Sequence, residues 1–405
     1  MSPVPIALLL CALPPLTLEQ AMSRARAAAP EVQVANRLVQ EAEASRVGQG
    51  VPFPTNPRLF ADYRPLAIEL AGQPVDPRNG YNLGLDGTFE VSGAGFARVE
   101  EAERRIALAK AELRQEQANA AARAWSAWVE VMLADQRVAR LQEMLEVAQR
   151  VADGAKERVN AGVAGDPELT TVEAELAMVK SQHLEAARRQ QAARLALAHV
   201  LDLSTDEPVE LSASTLEPGA VDDEATLLQR ALERRPELAT LKARLAVLEA
   251  MDSRLFREAM PKLGYNFGLD AAPASPVFGY LGLAVEIPVA QRNQGPRAIA
   301  AAQRETERAR LEAQLRRVQR EVALARRNYE ARRAQVAVLT NEALPAARRN
   351  QTLVEQGWRA GRFDVFRLTT ATRDALRLEQ ERLETLLAAW TDFIELQRAS
   401  GGLNP

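Results

Sequence analysis

KLGYNFGLD, residues 262–270, sits in a chain whose other long segments are rich in Ala, Arg, Glu and Leu and read as helix. Within it Leu263, Tyr265, Phe267 and Leu269 alternate with Lys262, Gly264, Asn266, Gly268 and Asp270. That is the two-residue period of a strand with one oily face and one polar face. A second strand follows at 279–289, where Leu281, Leu283, Val285, Ile287 and Val289 alternate with Tyr280, Gly282, Ala284, Glu286 and Pro288. Earlier in the chain the cleanest example spans 81–92, with Tyr81, Leu83, Leu85, Phe89 and Val91 set against Asn82, Gly84, Asp86, Thr88, Glu90 and Ser92. A weaker strand at 57–70, interrupted by Pro65, precedes it.

The strand pairs recur because the chain repeats itself, and a repeat decides architecture before any local reading does. Residues 25–44 match 231–250, aligning Pro30 with Pro236, Glu31 with Glu237, Val39 with Leu245 and Glu43 with Glu249. Farther along, Ala161-Gly162 matches Ala360-Gly361, followed by Leu169 with Leu368, Leu184 with Leu383 and Glu185 with Glu384. Each half reads as helix, strand pair, long helix, turn, helix. The first repeat is placed at 16–208 and the second at 222–400, with a linker at 209–221, a tail at 401–405 and a signal peptide at 1–15. The signal reading rests on an apolar run too short to span a bilayer. Leu10 before Cys11, in place of a small residue, argues against a lipoprotein signal.

In the first half the long helix is predicted from Val99 to Asn160, about 90 Å at the usual rise per residue. Its seam runs Ile106, Ala109, Leu113, Gln117, Ala120, Ala124, Ala127, Val131, Ala134, Val138, Leu141, Leu145, Ala148, Ala152, Ala155 and Val159, with Gln117 alone polar. An alanine seam lets neighbouring helices approach closely, in the manner of a coiled coil, with a local stutter at 109–113–117. Helices at 16–48 and 166–202 are each about half that length, and the second half offers 222–258, 296–356 and 364–399.

Composition excludes several functions. With 51 basic against 54 acidic residues, the chain lacks the basic footprint that nucleic acid requires. Cys11 is the lone cysteine and His183 and His199 are the two histidines, so one chain assembles neither a disulfide framework nor a Cys/His metal cluster. His183 and His199 read as structural, and Trp125 and Trp128 as packing residues. No nucleophile set with a His partner, glycine-rich phosphate loop or cofactor motif is visible, so no enzyme and no cofactor is expected. Outside the N-terminus no apolar run reaches the length of a transmembrane helix. If the chain spans a membrane, strands must do it.

Strands of nine to eleven alternating residues suit a tilted transmembrane β-strand, and four of them cannot close a barrel, so several chains would have to contribute. Alternation alone fits equally a small sandwich or cap on a helical body. Both strand pairs, however, leave helix ends, turn through Pro- and Gly-rich loops and return to helices.

On "LTLEQAMSRARAAAPEV", "ERVNAGVAGDPELTTVEAELA" and "GWRAGRFDVFRLTTATRDALRLEQERL" the sequence resembles the TolC-like outer-membrane efflux family across nearly all of the mature chain. The resemblance implies a mainly α fold with a small β part. Three copies would form a twelve-stranded membrane β-barrel continued by a periplasmic α-helical barrel, a passive conduit that docks an adaptor protein and an inner-membrane pump. The alternative is a soluble periplasmic coiled-coil adaptor or scaffold. "GDPELTTVEAELA" points within the family toward its heavy-metal branch.

On this reading Asn82, Asp86, Glu90, Asn266, Asp270 and Glu286 face the lumen, and Leu83, Leu85, Phe89, Tyr265, Phe267, Leu283, Val285 and Ile287 face lipid. The turns at Gly162 and Gly361 become the periplasmic tip that closes the tunnel and meets the adaptor, with Asp166, Glu168, Phe363, Asp364, Arg367 and Thr370 as its functional side chains. Asp166, before Pro167, and Asp364 are each expected to cap a helix. Arg367 and Thr370 stand where TolC-type members carry aspartates. A cationic ring there would alter ion preference, or Arg367 would pair with Glu168 or Asp166 and latch the tip.

Overall fold

The computed structural model describes residues 15–64, 80–204, 210–212, 217–271 and 276–403. Residues 1–14 of the predicted signal peptide at 1–15 and residues 65–70 of the first predicted strand lie outside them. The elements run α1 (Leu18–Ala28), α2 (Pro30–Ser45), β1 (Arg58–Arg64), β2 (Gly80–Phe89), α3 (Ala94–Asn160), α4 (Asp166–Val200), α5 (Glu224–Arg234) and α6 (Pro236–Glu258). They continue through β3 (Lys262–Ala271), β4 (Phe278–Glu286), α7 (Gln294–Val338), a π turn (Leu339–Ala343), α8 (Leu344–Arg359) and α9 (Val365–Ala399).

Helices predicted at 16–48 and 222–258 are each two helices. A proline cannot supply the N–H its helix needs and is tolerated only in a first turn, so Pro30 and Pro236 each end one helix and begin the next. Thr17 starts α1 with a capping box, its hydroxyl accepting from the Gln20 N–H at 3.2 Å while the Gln20 side chain accepts from the Thr17 N–H at 3.0 Å. Farther on, the segment predicted as one helix over 296–356 carries the π turn just before Pro345. There the Leu344 N–H reaches the Leu339 carbonyl, an i to i−5 bond that accommodates the proline within a continuing helical path.

The chain divides into two compact units, one of Ala35–Leu113 and Glu237–Gln314, the other of Met1–Val34, Arg114–Pro236 and Leu315–Pro405. The first holds the sheet, which is antiparallel in the order β1-β2-β3-β4. The second is helical. On α3 the predicted seam is buried at Ala120, Ala124, Ala127, Val131, Leu141, Ala148, Ala152 and Ala155. Trp128, Val129, Met132 and Leu133 are buried too, so mid-helix α3 is covered on more than one face. Beside it Trp125 packs against Trp390 and Phe393, and the Trp128 Nε1–H donates to the Leu16 carbonyl at 3.4 Å. Among the described residues no helix is long and apolar enough to cross a membrane.

Candidate functional site: a two-faced sheet and a pair of helical turns

In a sheet, register decides which residues share a face. Here Leu59 pairs with Leu85, Leu85 with Phe267 and Phe267 with Leu281, and a parallel row runs Ala61, Leu83, Leu269, Gly279. Tyr265 likewise opposes Leu283, and Leu263 opposes Val285. Leu59 and Ala61 of β1 and the alternating oily residues of β2, β3 and β4 therefore fall on one face, while Phe60, Phe278 and Tyr280 fall on the other. On the first face Leu59, Leu83, Phe267, Leu269, Leu281, Leu283 and Val285 stand exposed. Among the described residues nothing covers this oily face, unlike the inner side of a sandwich. The other face carries Asn82, Asp86, Asn266, Asp270 and Glu286. Asp86 binds Arg58 across the β1–β2 pair at 3.0 Å.

Two residues expected along the strands lie beyond them. Ile287 follows the end of β4 and is exposed. Glu90 follows the end of β2, and its side chain is 3 % exposed against Arg98 at 2.6 Å, so it is withdrawn from the polar face. Arg98 also donates to the carbonyls of Gln49 (3.3 Å) and Val51 (3.2 Å) and reaches Glu258 at 3.5 Å. Glu258 in turn binds Arg254 at 2.7 Å, and Arg254 binds the buried Glu101. This ionic chain fixes the exit of β2 into α3, with a buried carboxylate at each end, Glu90 and Glu101, neutralised by Arg98 and Arg254 respectively. The sequence reading missed it because its members meet only through the fold.

In the helical unit the two turns are built alike. Gly162 and Gly361 both have φ of +71°, the left-handed conformation that closes a helix. The Val163 N–H reaches the Arg158 carbonyl at 2.9 Å, and the Arg362 N–H the Gly357 carbonyl at 2.8 Å. Alanine at either glycine meets no neighbouring atom, so its penalty is backbone strain alone. Gly162→Ala and Gly361→Ala should each destabilise their turn by about 1–2 kcal/mol, read as faster proteolytic nicking at the turn with thermal unfolding of the remaining helices little changed.

The turns differ in side-chain chemistry. Asp364 caps α9, its carboxylate accepting from the Arg367 N–H at 2.8 Å. Asp166 does not cap α4: the cap position belongs to Gly165, which makes no side-chain bond, and Asp166 is the first helical residue. Glu168 accepts from the Trp358 Nε1–H at 3.2 Å and lies 3.4 Å from Arg158. Arg367 pairs with neither Glu168 nor Asp166, because its guanidinium lies 4.4 Å over the Phe363 ring, a cation–π contact available within one turn of chain. Thr370 bonds its hydroxyl locally to the Phe366 carbonyl at 2.8 Å. Beneath these groups Ala152, Ala155, Val172, Val354, Trp358, Val365, Leu368 and Ala371 form one buried cluster, with Phe363 packed against it. At the 199-residue offset of the repeat, Glu168 and Arg367 hold the same position with opposite charge.

Comparison with known proteins places this geometry. Residues 73–202 match the family model described as outer membrane efflux protein. The cobalt-zinc-cadmium resistance protein CzcC of Cupriavidus metallidurans is 26 % identical over 363 residues, covering 89 % of this chain and 84 % of that protein. The nickel-cobalt-cadmium resistance protein NccC of Alcaligenes xylosoxydans xylosoxydans is 27 % identical over 316 residues, covering 74 % and 68 %. Among solved structures the outer-membrane channel OprN superposes with a TM-score of 0.78 at 21 % identity, over 96 % of this chain and 91 % of that one. The two-faced sheet, the duplicated helices and this kinship define an outer-membrane channel subunit of a tripartite efflux system, its helical part in the periplasm. The chain has the TolC-like fold, and its residues 73–202 are similar to the outer membrane efflux protein family. Members of that family work as trimers with an adaptor and an inner-membrane pump.

Proposed function

We propose that three copies of this chain close one twelve-stranded barrel, with the oily face toward outer-membrane lipid and Asn82, Asp86, Asn266, Asp270 and Glu286 toward the passage. The observation that carries the reading is the register: the alternating oily rows of the four strands coincide, while among the described residues β1 and β4 each keep an unpaired edge. Lipid offers such edges no hydrogen-bond partner, and the smallest barrels need about eight strands. Sibling copies supply the missing ones. Purified protein should run as a heat-labile oligomer in detergent and conduct ions in planar bilayers. A soluble adaptor would wash from outer membranes and conduct nothing.

The turns around Gly162 and Gly361 are the end that meets an adaptor, and the driving energy comes from the pump behind it. The cargo is a divalent heavy-metal cation, of the class for which CzcC and NccC are named. Cells lacking the chain should lose tolerance to cobalt, zinc or cadmium and regain it from a plasmid copy; unchanged tolerance to all three would remove this assignment. Arg367, exposed and bound to a ring rather than to a carboxylate, places positive charge at the entrance, which opposes cation entry by direct electrostatics. Arg367→Ala should therefore move the reversal potential in a salt gradient toward cation preference. Unchanged conductance and selectivity would deny it that role.

A further inference from the structure

We propose that a floor of two glycines lets two aromatic rings lie flat and so keeps the passage of the barrel clear at that level. The proposal rests on the reading that the polar face lines the passage. On that face Phe60, Gly84, Gly268 and Tyr280 form one row straight across the four strands. The edge strands supply the rings and the inner strands supply no side chain at all. A Cβ built on Gly84 would lie 2.5 Å from Phe60 Cζ and 2.6 Å from the Tyr280 hydroxyl oxygen, and one on Gly268 would lie 2.6 Å from that same oxygen. Both rings thus lie down over the sheet from opposite edges, and their tips converge above Gly84. The Tyr280 hydroxyl donates to Asn82 Oδ1 at 3.0 Å, which holds its ring in this attitude. On the next row of the same face Asn266 covers Gly282 in the same way.

A flat ring adds about one contact thickness, ~3.5 Å, to the wall, whereas an upright one projects its full length into the passage. Any side chain at Gly84 occupies the space both ring tips now fill, and must lift at least one of them. Gly84 is therefore a positioning residue for the passage of solute. Because the row repeats in every copy, lifting the rings narrows one level of the channel from three sides at once.

The test is single-channel conductance of the purified full chain in planar bilayers. Gly84→Leu should lose roughly half of the conductance, since ion flow follows the narrowest cross-section, and Gly84→Ala should lose less in the same direction should the larger side chain hinder assembly. Phe60→Ala with Tyr280→Ala should leave conductance nearly unchanged. Added to Gly84→Leu, the same pair should restore it. With the lone cysteine replaced by serine, Asn266→Cys should react with a membrane-impermeant thiol reagent. Failure to label would overturn the assignment of the polar face to the passage. Labelling, with conductance unmoved by both Gly84 variants or markedly raised by the paired alanines, would overturn the glycine floor itself.

Discussion

Leu283→Arg is expected to abolish stable assembly in the outer membrane, while Asn266→Arg, at a neighbouring row on the opposite face, is expected to leave it intact. Leu283 is 73 % exposed and pairs with Tyr265 on the oily face. Arginine facing lipid near the middle of a barrel wall costs about 2–4 kcal/mol, and a trimer would incur that cost three times. Asn266, opposite Gly282 on the polar face, would present its charge to water, where the cost largely disappears. The measurement is the yield of heat-labile oligomer from washed outer membranes. Equal yields from the two variants would mean that the oily face does not meet lipid, and the barrel would have to be abandoned for a sheet covered by protein.

The contrast between those variants was legible in the sequence because alternation with period two is local. Tyr81 to Phe89 and Lys262 to Asp270 announce their faces without knowledge of any partner, and register then only has to align them. The two helical turns were legible for a similar reason, since Gly162 and Gly361 recur in a repeat. What could not be read depends on distant segments meeting. Arg98 joins Glu90 to Glu258, which lies 160 residues beyond Arg98, and no spacing rule connects them. Between these extremes lie features that local sequence encodes only weakly. Phe363, just before the cap of α9, and Arg367, in its first turn, stand four apart, so the ring was a nearer partner for the guanidinium than a carboxylate on another turn. Pro30 and Pro236 likewise mark, within two otherwise helical segments, the points where one helix gives way to the next. At Asp166 two rules conflicted: the aspartate favours a cap, but Pro167 at the helix start is satisfied equally when Gly165 caps, and the backbone took the glycine.

Glu321→Ala is expected to destabilise the helical unit by about 3 kcal/mol, the lower end for breaking a buried ion pair because Glu321 itself stays partly open to solvent. Arg235 is the residue between α5 and α6, held in place by Pro236, and its side chain is 2 % exposed. It binds Glu321 at 2.7 Å, and Arg317 binds the second oxygen of the same carboxylate at 2.7 Å. Removing the carboxylate takes from a buried guanidinium a counter-charge at 2.7 Å that helps to offset its desolvation. Replacing both partners with apolar residues of similar volume should cost far less than either single loss. Acid should act on this pair alone in a recognisable way. Burial pushes the Glu321 carboxyl upward, but the hydrogen bonds and charges of Arg235 and Arg317 outweigh it and hold the group below its ordinary value. A carboxyl lowered by folding contributes stability that is complete above its unfolded value, about 4.3, and is lost as pH falls through the folded value. The wild-type chain should therefore unfold at a higher denaturant midpoint than Glu321→Gln at pH 7, and the two midpoints should converge on acidification below about pH 4. A gap that persists undiminished in acid would show that the glutamine acts through shape rather than charge, and that the Arg235 pair does not stabilise the junction of α5 and α6.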